Sequence, residues 1–250
     1  MILLIDIGNT HSHLGLADEK KVGRQRNIAT ISWKSGGAAL EIEQFIGKTS
    51  ITGASFCSVV PLATIACEQF LRELSCKSIQ LNHQTLRGVG IDYPKPGTIG
   101  TDRLANAIAV KEWHGAPSVV VDFGTAVTFD VVNAAGNYAG GIIAPGLAAM
   151  TDYLHEKTAL LPRIKIRDTK AVIGKNTEQA MLIGAVHGYR GLVRELIGEL
   201  KQELNFRKLP VVATGGYAKL IASGLPEISQ VEPLLTLEGL RLLWQWHQKE

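Results

Sequence analysis

The sequence has few cysteines, few aromatic residues and little excess of charge of either sign. Its three cysteines, Cys57, Cys67 and Cys76, fit neither a metal-site nor a redox spacing, and an odd number of scattered cysteines is typical of a reducing compartment. The net charge of +3 over 250 residues is too small to indicate a nucleic-acid-binding surface. No uncharged apolar run reaches the roughly 18 residues of a membrane span, and the N-terminal apolar run stops at Asp6, so we expect no signal peptide. We therefore expect a cytoplasmic protein with no nucleic-acid and no membrane partner.

The apolar residues, 46% of the chain, are arranged in patterns that alternate between strand and helix. Short apolar or alternating runs predict strands, and apolar residues at helical spacing predict helices. The predicted strands are 1–5, 11–17, 22–31, 51–60, 77–81 and 210–213, with three more from about 118 onward. The predicted helices are 38–46, 61–74, 147–160, 176–204, 217–223 and 234–246.

One pattern of residues occurs twice. The segment MILLIDIGNT at the start of the chain and the segment PSVVVDFGTA from Pro117 both place an Asp at the end of an apolar strand and a Gly two residues later. The two aspartates, Asp6 and Asp122, are 116 residues apart, close to half the chain. This spacing predicts an internal duplication. We expect an α/β protein with halves at 1–115 and 116–250, each a mixed sheet flanked by helices, with a cleft between them.

The two turns carry residues suited to phosphate. Backbone N–H groups of a glycine-containing turn can cradle phosphate oxygens, and a nearby carboxylate can hold hydrated Mg²⁺. For a single copy, a tight turn that uses Gly and Asn for their tolerated backbone angles is the simpler explanation. Two facing copies, however, would hold a triphosphate from both sides, with Asp122 as a cation ligand and the Thr125 hydroxyl as a phosphate donor.

The stretch YPKPGTIGTDRLANAIAV, residues 93–110, predicts a loop followed by a helix that begins near Thr101 or Asp102. Arg103 can pair with a carboxylate, and Asp102 can accept a proton from an attacking hydroxyl. On spacing alone, Asp102 as a helix cap and Arg103 as a surface partner remain an open alternative. Two other matches fail on context: GKT at 47–49 lacks the first glycine of a P-loop, and DFG at 122–124 lacks the other protein-kinase motifs.

Together, these segments resemble the type III pantothenate kinase family, within the acetate kinase, sugar kinase, Hsp70 and actin superfamily. The resemblance runs end to end and rests on Tyr93 and on six motifs: DIGNT at 6–10, GTDR at 100–103, DFGTA at 122–126, GGIIAPG at 140–146, GKNT at 174–177 and TGG at 214–216. It implies two ribonuclease H-like (actin-like ATPase) halves. It also implies ATP-dependent phosphorylation of pantothenate to 4′-phosphopantothenate, the first step of coenzyme A biosynthesis.

The resemblance also implies roles for individual residues. Asp102 corresponds to the general base of a direct in-line transfer. Asp122 corresponds to the ligand of a monovalent cation, K⁺ or NH₄⁺, and Asp6 is assigned to Mg²⁺. The implied ATP contacts are Asp6, Ile7, Gly8, Asn9, Thr10, His11, Ser12, His13 and Thr125. The implied pantothenate contacts are Tyr93, Gly100, Thr101, Asp102, Arg103 and Thr177.

The family further implies a homodimer in which Thr177 reaches the site of the partner. Thr101 departs from the more usual Ala, and His11 and His13 have no assigned role within the turn. Two alternatives stay open: a phosphatase of the same superfamily that uses water as the acceptor, and a non-enzymatic regulator that keeps only the fold. GTDR beside Tyr93 favours the kinase over the first, and the presence of Asp6, Asp102 and Asp122 disfavours the second.

Overall fold

The structure, a computed structural model, describes residues 1–249. In chain order its elements are β1 (Ile2–Ile7), β2 (His11–Ala17), β3 (Val22–Ala29), α1 (Ser32–Ser35), α2 (Gly37–Ile46), β4 (Gly53–Ser58), α3 (Pro61–Glu73), β5 (Ser78–Gln80), β6 (Gly90–Ile91), α4 (Thr101–His114), β7 (Ser118–Phe123), β8 (Ala126–Val132), β9 (Asn137–Pro145), α5 (Leu147–Lys157), α6 (Thr177–Ile183), α7 (Tyr189–Glu203), β10 (Val211–Thr214), α8 (Ala218–Ala222), β11 (Gln230–Val231) and α9 (Leu235–Gln248). A 3₁₀ turn at Pro96–Thr98 precedes α4, and one π-helical turn at Gly184–Gly188 joins α6 to α7.

The chain divides into two compact units. Unit 1 contains residues 1–115, 136–139 and the described residues from 234 onward, and unit 2 contains residues 116–135 and 140–233. No helix among residues 1–249 is both long and apolar enough to cross a membrane.

The sheet of unit 1 has the strand order β3-β2-β1-β4-β5. β1 is antiparallel to β2 and parallel to β4, and all six of its residues are buried. Because side chains alternate along a strand, β1 serves two cores. Leu3, Ile5 and Ile7 pack with residues of α1, α2 and α3, and the other face of the sheet is covered by α4 and α9.

Unit 2 repeats this topology. Its five strands are ordered β9-β8-β7-β10-β11, with β7 antiparallel to β8 and parallel to β10, and β10 parallel to β11. The two-residue strand β6 pairs with the start of β9 and is the sixth, edge strand of this sheet. Each of the five strands therefore occupies the position of its counterpart in unit 1. The predicted fold class is confirmed: the chain is α/β, with two duplicated mixed sheets flanked by helices.

The last helix, α9, is grouped with unit 1 rather than with the half of the sequence that precedes it. It packs against α4, and Gly239 makes the close approach possible: a Cβ at this position would lie 2.0 Å from the Ala105 carbonyl oxygen. Packing between α4 and α9 thus joins two segments of unit 1 that are distant in sequence.

Most predicted elements are present, with shifted ends. The expected strand 22–31 ends at Ala29 and is followed by the short helix α1, which the apolar pattern does not indicate. The expected helix 147–160 ends at Lys157. The expected helix 176–204 is continuous except for the π-helical turn.

Candidate active site

The first glycine turn connects β1 to β2 in unit 1. The Gly8 N–H donates to the His11 carbonyl at 3.0 Å, which closes the turn over Asn9 and Thr10. Thr30, in the segment that follows β3, donates two hydrogen bonds to carbonyl groups of this turn. The Thr30 N–H donates to the Thr10 carbonyl at 3.0 Å, and the Thr30 hydroxyl donates to the Gly8 carbonyl at 2.7 Å.

A buried chain of hydrogen bonds continues from Thr30. The Ser12 hydroxyl lies 3.0 Å from the Thr30 hydroxyl, and the Trp33 Nε1–H donates to Ser12 Oγ at 3.0 Å. Because the single proton of Thr30 is donated to Gly8, the Ser12 proton must be donated to Thr30. The bonds therefore run in one direction, from Trp33 through Ser12 and Thr30 to Gly8.

This arrangement separates the eight consecutive residues 6–13 into two groups. Ile7 and Ser12 are paired across β1 and β2 and are fully buried on the face that packs against α1–α3. Any ATP contact of these two residues would therefore come from the backbone. Asn9, Thr10 and His11 are exposed at the turn.

The opposite face of the sheet carries a row of polar side chains. Asp6 is paired with His13 of β2 on one side and with Cys57 of β4 on the other, so all three side chains point to the same face. His13 Nδ1 lies 2.8 Å from Asn27 Oδ1, so His13 already has a partner within the sheet. The Cys57 thiol donates to Asp6 Oδ1 at 3.3 Å. Burial, followed by the charges of Asp6 and Asp102, raises the pKa of the Cys57 thiol, which keeps it protonated as a donor.

The first turn of α4 brings the GTDR motif to the end of β4. The Thr101 hydroxyl accepts from the Ser58 N–H and donates to the Ser58 carbonyl, both at 3.0 Å. The N-cap of α4 is Gly100 rather than Thr101 or Asp102. A Cβ on Gly100 would lie 2.6 Å from Asp102 Oδ1, so the glycine leaves room for that carboxylate.

Asp102 is the carboxylate with the clearest functional signature in unit 1. Its Oδ1 accepts from the Arg103 N–H at 2.8 Å. Burial raises the pKa of the Asp102 carboxyl above the usual aspartate value, although the N–H and the guanidinium of Arg103 act in the opposite direction. A carboxylate with a raised pKa is suited to proton transfer near neutral pH.

Tyr93 and Arg103 meet at a side chain that the sequence patterns do not single out. Arg103 Cζ lies 5.7 Å from the ring centroid of Tyr138, and the rings of Tyr93 and Tyr138 are in edge-to-face contact with centroids 6.2 Å apart. Tyr138 belongs to the segment 136–139 of unit 1. Its position follows from the pairing of β6 with the start of β9, which no local pattern indicates.

In unit 2, three of the sequence motifs converge on the second glycine turn. The Gly124 N–H donates to the Ala126 carbonyl at 3.1 Å, so this turn is tighter than the one in unit 1. A Cβ on Gly146, the last residue of GGIIAPG, would lie 2.1 Å from the Thr125 carbonyl oxygen. Gly215 of TGG has a φ of +90°, and a Cβ there would lie 2.5 Å from Asp122 Oδ1. The glycines thus allow two chain segments to pack directly against the Asp122 turn.

The GKNT motif forms the start of α6. The Asn176 side chain accepts from the Gln179 N–H at 2.9 Å and caps the helix. Gly174 packs against the first turn, where a Cβ would lie 2.5 Å from the Ala180 nitrogen. Thr177, the first residue of the helix, is exposed.

Comparison with known proteins assigns these motifs to a family. A family model described as type III pantothenate kinase matches residues 2–199. The chain is 43% identical over 246 residues to a type III pantothenate kinase from Methylacidiphilum infernorum, covering 97% of this chain and 87% of the relative. It is 45% identical over 244 residues to one from Akkermansia muciniphila, covering 96% of both chains. The chain belongs to the type III pantothenate kinase family.

As a pantothenate kinase, the chain is a transferase that phosphorylates pantothenate in coenzyme A biosynthesis, with ATP as the co-substrate. Its fold is shared with a Campylobacter jejuni protein described as a Baf-family transcriptional activator, at a TM-score of 0.64 and 18% identity, covering 99% of this chain and 100% of that one. At this identity the likeness shows the fold alone. Membership of the pantothenate kinase family favours neither alternative, the phosphatase or the non-enzymatic regulator.

Proposed function

We propose that Asp102 is the general base of the pantothenate kinase reaction. The primary hydroxyl of pantothenate attacks the γ-phosphorus of ATP in line with the leaving oxygen, and its proton passes to the Asp102 carboxylate. A new P–O bond forms to the acceptor, the bond from the γ-phosphorus to the bridging oxygen breaks, and ADP leaves. The observation that carries this proposal is the desolvated Asp102 carboxyl, held beside Gly100 at the start of α4, with its pKa raised by burial.

Arg103 and Tyr93 are proposed to bind the carboxylate end of pantothenate. The Arg103 guanidinium can form two parallel hydrogen bonds with a carboxylate. Tyr93 is partly exposed and contacts the same Tyr138 ring as Arg103 does. Gly100 and Thr101 complete the proposed acceptor site through the backbone at the helix start. The Thr101 hydroxyl is committed to Ser58, so the replacement of the usual Ala anchors the helix instead of enlarging the set of substrate donors.

ATP phosphates are proposed to bind at the glycine turn of each unit. Backbone N–H groups in a tight turn form a concave binding surface for anions. In unit 1 this turn is closed by Gly8 and supported by Thr30, so its backbone is fixed before ATP binds. In unit 2 the turn is fixed by Gly146 and Gly215, with Thr125 as the proposed side-chain contact.

Two cations are proposed to assist the phosphates. No group of three or more His, Cys, Asp or Glu side chains within residues 1–249 is arranged to hold a metal ion. Mg²⁺ is commonly held by one or two carboxylates together with substrate phosphates and water, so a single buried carboxylate such as Asp6 fits. Asp122, with the Gly215 backbone packed against it, is the proposed carboxylate ligand for K⁺ or NH₄⁺. When bound, such cations neutralise phosphate charge.

A homodimer, in which Thr177 lies near the acceptor site of the partner, is proposed because unit 2 has exposed apolar side chains on its surface. Thr177 is exposed, as are several large apolar side chains on α5 and the following segment. These are Met150, Tyr153, Leu154, Leu160, Val172 and Ile173. Exposed apolar side chains in such number are typical of an interaction surface. Light scattering at assay concentration tests this proposal, and a monomer would contradict it.

Substitution of Asp102 tests the proposed base. Asp102→Asn keeps the shape of the side chain but removes the proton acceptor, so we expect kcat to fall by about 10²- to 10⁴-fold. Binding of ATP, measured by titration, should change little. Glu112→Gln, at an exposed position of the same helix, is the matched control and should keep full activity. ADP release is measured with and without pantothenate, and turnover retained in Asp102→Asn would contradict the assignment.

A further inference from the structure

Tyr138 stands out because it is wholly buried and yet contacts two residues of the proposed acceptor site. Its side chain is 1% exposed, whereas Tyr93 is 38% exposed. It lies at the start of β9, in the four-residue segment that belongs to unit 1. A buried aromatic side chain usually fills a core among apolar residues, but this one faces a guanidinium.

The ring of Tyr138 can hold Arg103 in a fixed orientation. The distance of 5.7 Å from Arg103 Cζ to the ring centroid is within the range of a cation–π contact. An arginine side chain loses considerable rotamer freedom when it binds a ligand, and a ring face that already orders it reduces that cost. The contact therefore acts before the substrate carboxylate arrives.

The same residue fixes the approach to Tyr93. Ile91 of β6 is paired with Tyr138, and the Asp92 N–H donates to the Tyr138 carbonyl at 2.9 Å. The backbone immediately before Tyr93 is thus anchored to Tyr138. The two rings are also in edge-to-face contact with an interplanar angle of 65°. Backbone and side chain of Tyr138 together determine where Tyr93 lies.

We propose that Tyr138 is a positioning residue for the carboxylate end of the acceptor, acting through Arg103 and Tyr93. The inference rests on the proposed function, because it assumes that Arg103 binds the carboxylate of pantothenate. Tyr138 itself does not touch the substrate in this proposal. It fixes the guanidinium and the Tyr93 ring as a preformed pair, so its effect is on acceptor binding rather than on phosphoryl transfer.

Replacing the ring tests the proposal. Tyr138→Leu should raise the KM for pantothenate by about 3- to 30-fold, the range that corresponds to loss of a cation–π contact. The KM for ATP and kcat should change little. Tyr138→Phe keeps the ring face and should return the KM for pantothenate to near its original value. Phe70→Leu, which removes a buried ring from the core of the same unit, is the matched control for loss of packing.

A double-mutant cycle shows whether Tyr138 acts through Arg103. If it does, the effect of Tyr138→Leu should be smaller in the Arg103→Leu background than alone, and what remains reports the contact with Tyr93. Fully additive effects would overturn the proposal. Equal KM changes in Tyr138→Leu and Phe70→Leu would also overturn it, since they would indicate a general packing effect.

Two further outcomes distinguish this inference from the proposed function. If Arg103→Leu leaves the KM for pantothenate unchanged, the proposed acceptor site is wrong, and the inference fails with it. If Arg103→Leu raises it and Tyr138→Leu does not, only the role of Tyr138 is wrong. Arg103→Lys covers the case in which Tyr138→Leu does not fold. Lysine keeps the charge but lacks both the planar group that stacks on the ring and the fork that pairs with a carboxylate, so an unchanged KM for pantothenate in Arg103→Lys would contradict this proposal and the proposed acceptor site together.

Discussion

The hydrogen-bond chain behind the first glycine turn gives a sharp prediction for Ser12→Ala. Ser12 is fully buried and connects the Trp33 indole to the Thr30 hydroxyl, which in turn supports the Gly8 carbonyl. Alanine removes the middle of this chain without changing the backbone. We expect the substitution to lower the stability of unit 1 and to loosen the turn.

The size of the effect follows from which groups lose a partner. The Trp33 Nε1–H is left buried without its acceptor, which costs about 1–3 kcal/mol, and the bond from Ser12 to Thr30 is lost at about 0.5–1.5 kcal/mol. Thr30 keeps its bond to Gly8. The sum is about 1.5–4.5 kcal/mol, or about 3 to 18 °C in Tm for a chain of this size.

Ser55→Ala is the matched control for this prediction. Ser55 is also fully buried in the sheet of unit 1, but among the residues that the structure describes its Oγ has no hydrogen-bond partner. Removing a buried hydroxyl without a partner should be neutral or stabilising. Thermal unfolding of both variants is the measurement, and Ser12→Ala should in addition raise the KM for ATP but not that for pantothenate. Equal Tm values for the two variants would refute the reasoning.

Three other predictions use the second turn and the proposed base. Gly215→Ala should destabilise the protein by about 1–3 kcal/mol in thermal unfolding, because φ is +90° and the new Cβ would lie 2.5 Å from Asp122 Oδ1; Gly216→Ala, where nothing lies within 4 Å, should not. Because burial raises the pKa of Asp102, kcat/KM should fall as the pH is lowered, and the midpoint of this fall should lie above the usual aspartate pKa of 3.8. The cost to stability builds up as the pH rises from the unfolded-state pKa of 3.8 and is complete above the raised folded-state pKa, so Asp102→Asn should have the higher Tm at neutral pH, and the difference should disappear in acid. A lower Tm for Asp102→Asn at neutral pH would contradict this sign.

The duplicated strands were predictable from the sequence because each follows a local apolar pattern. The repeat of Asp and Gly at 6–8 and 122–124 indicated corresponding positions in two sheets, and the strand orders confirm it. Which side chains of 6–13 are accessible could not be read from the motif, because the alternation along β1 and β2 buries Ile7 and Ser12. Tyr138 was missed for a different reason: its contacts depend on pairing between β6 and β9, which are distant in sequence.

The duplication also explains why there is one proposed acceptor site and two glycine turns. Each repeat ends with a strand followed by a helix: β5 and α4 in the first, β11 and α9 in the second. In the first repeat, residues 81–100 lie between β5 and α4 and contain the two-residue strand β6 as well as Tyr93 and Gly100. In the second repeat, only residues 232–234 lie between β11 and α9. The second residue of α4 is Asp102, whereas the second residue of α9 is Thr236, whose hydroxyl donates to Asn106. The elements proposed to bind phosphate are therefore repeated. The segment proposed to bind and deprotonate the acceptor is an addition to one repeat alone, and this asymmetry accounts for one proposed acceptor site and two glycine turns.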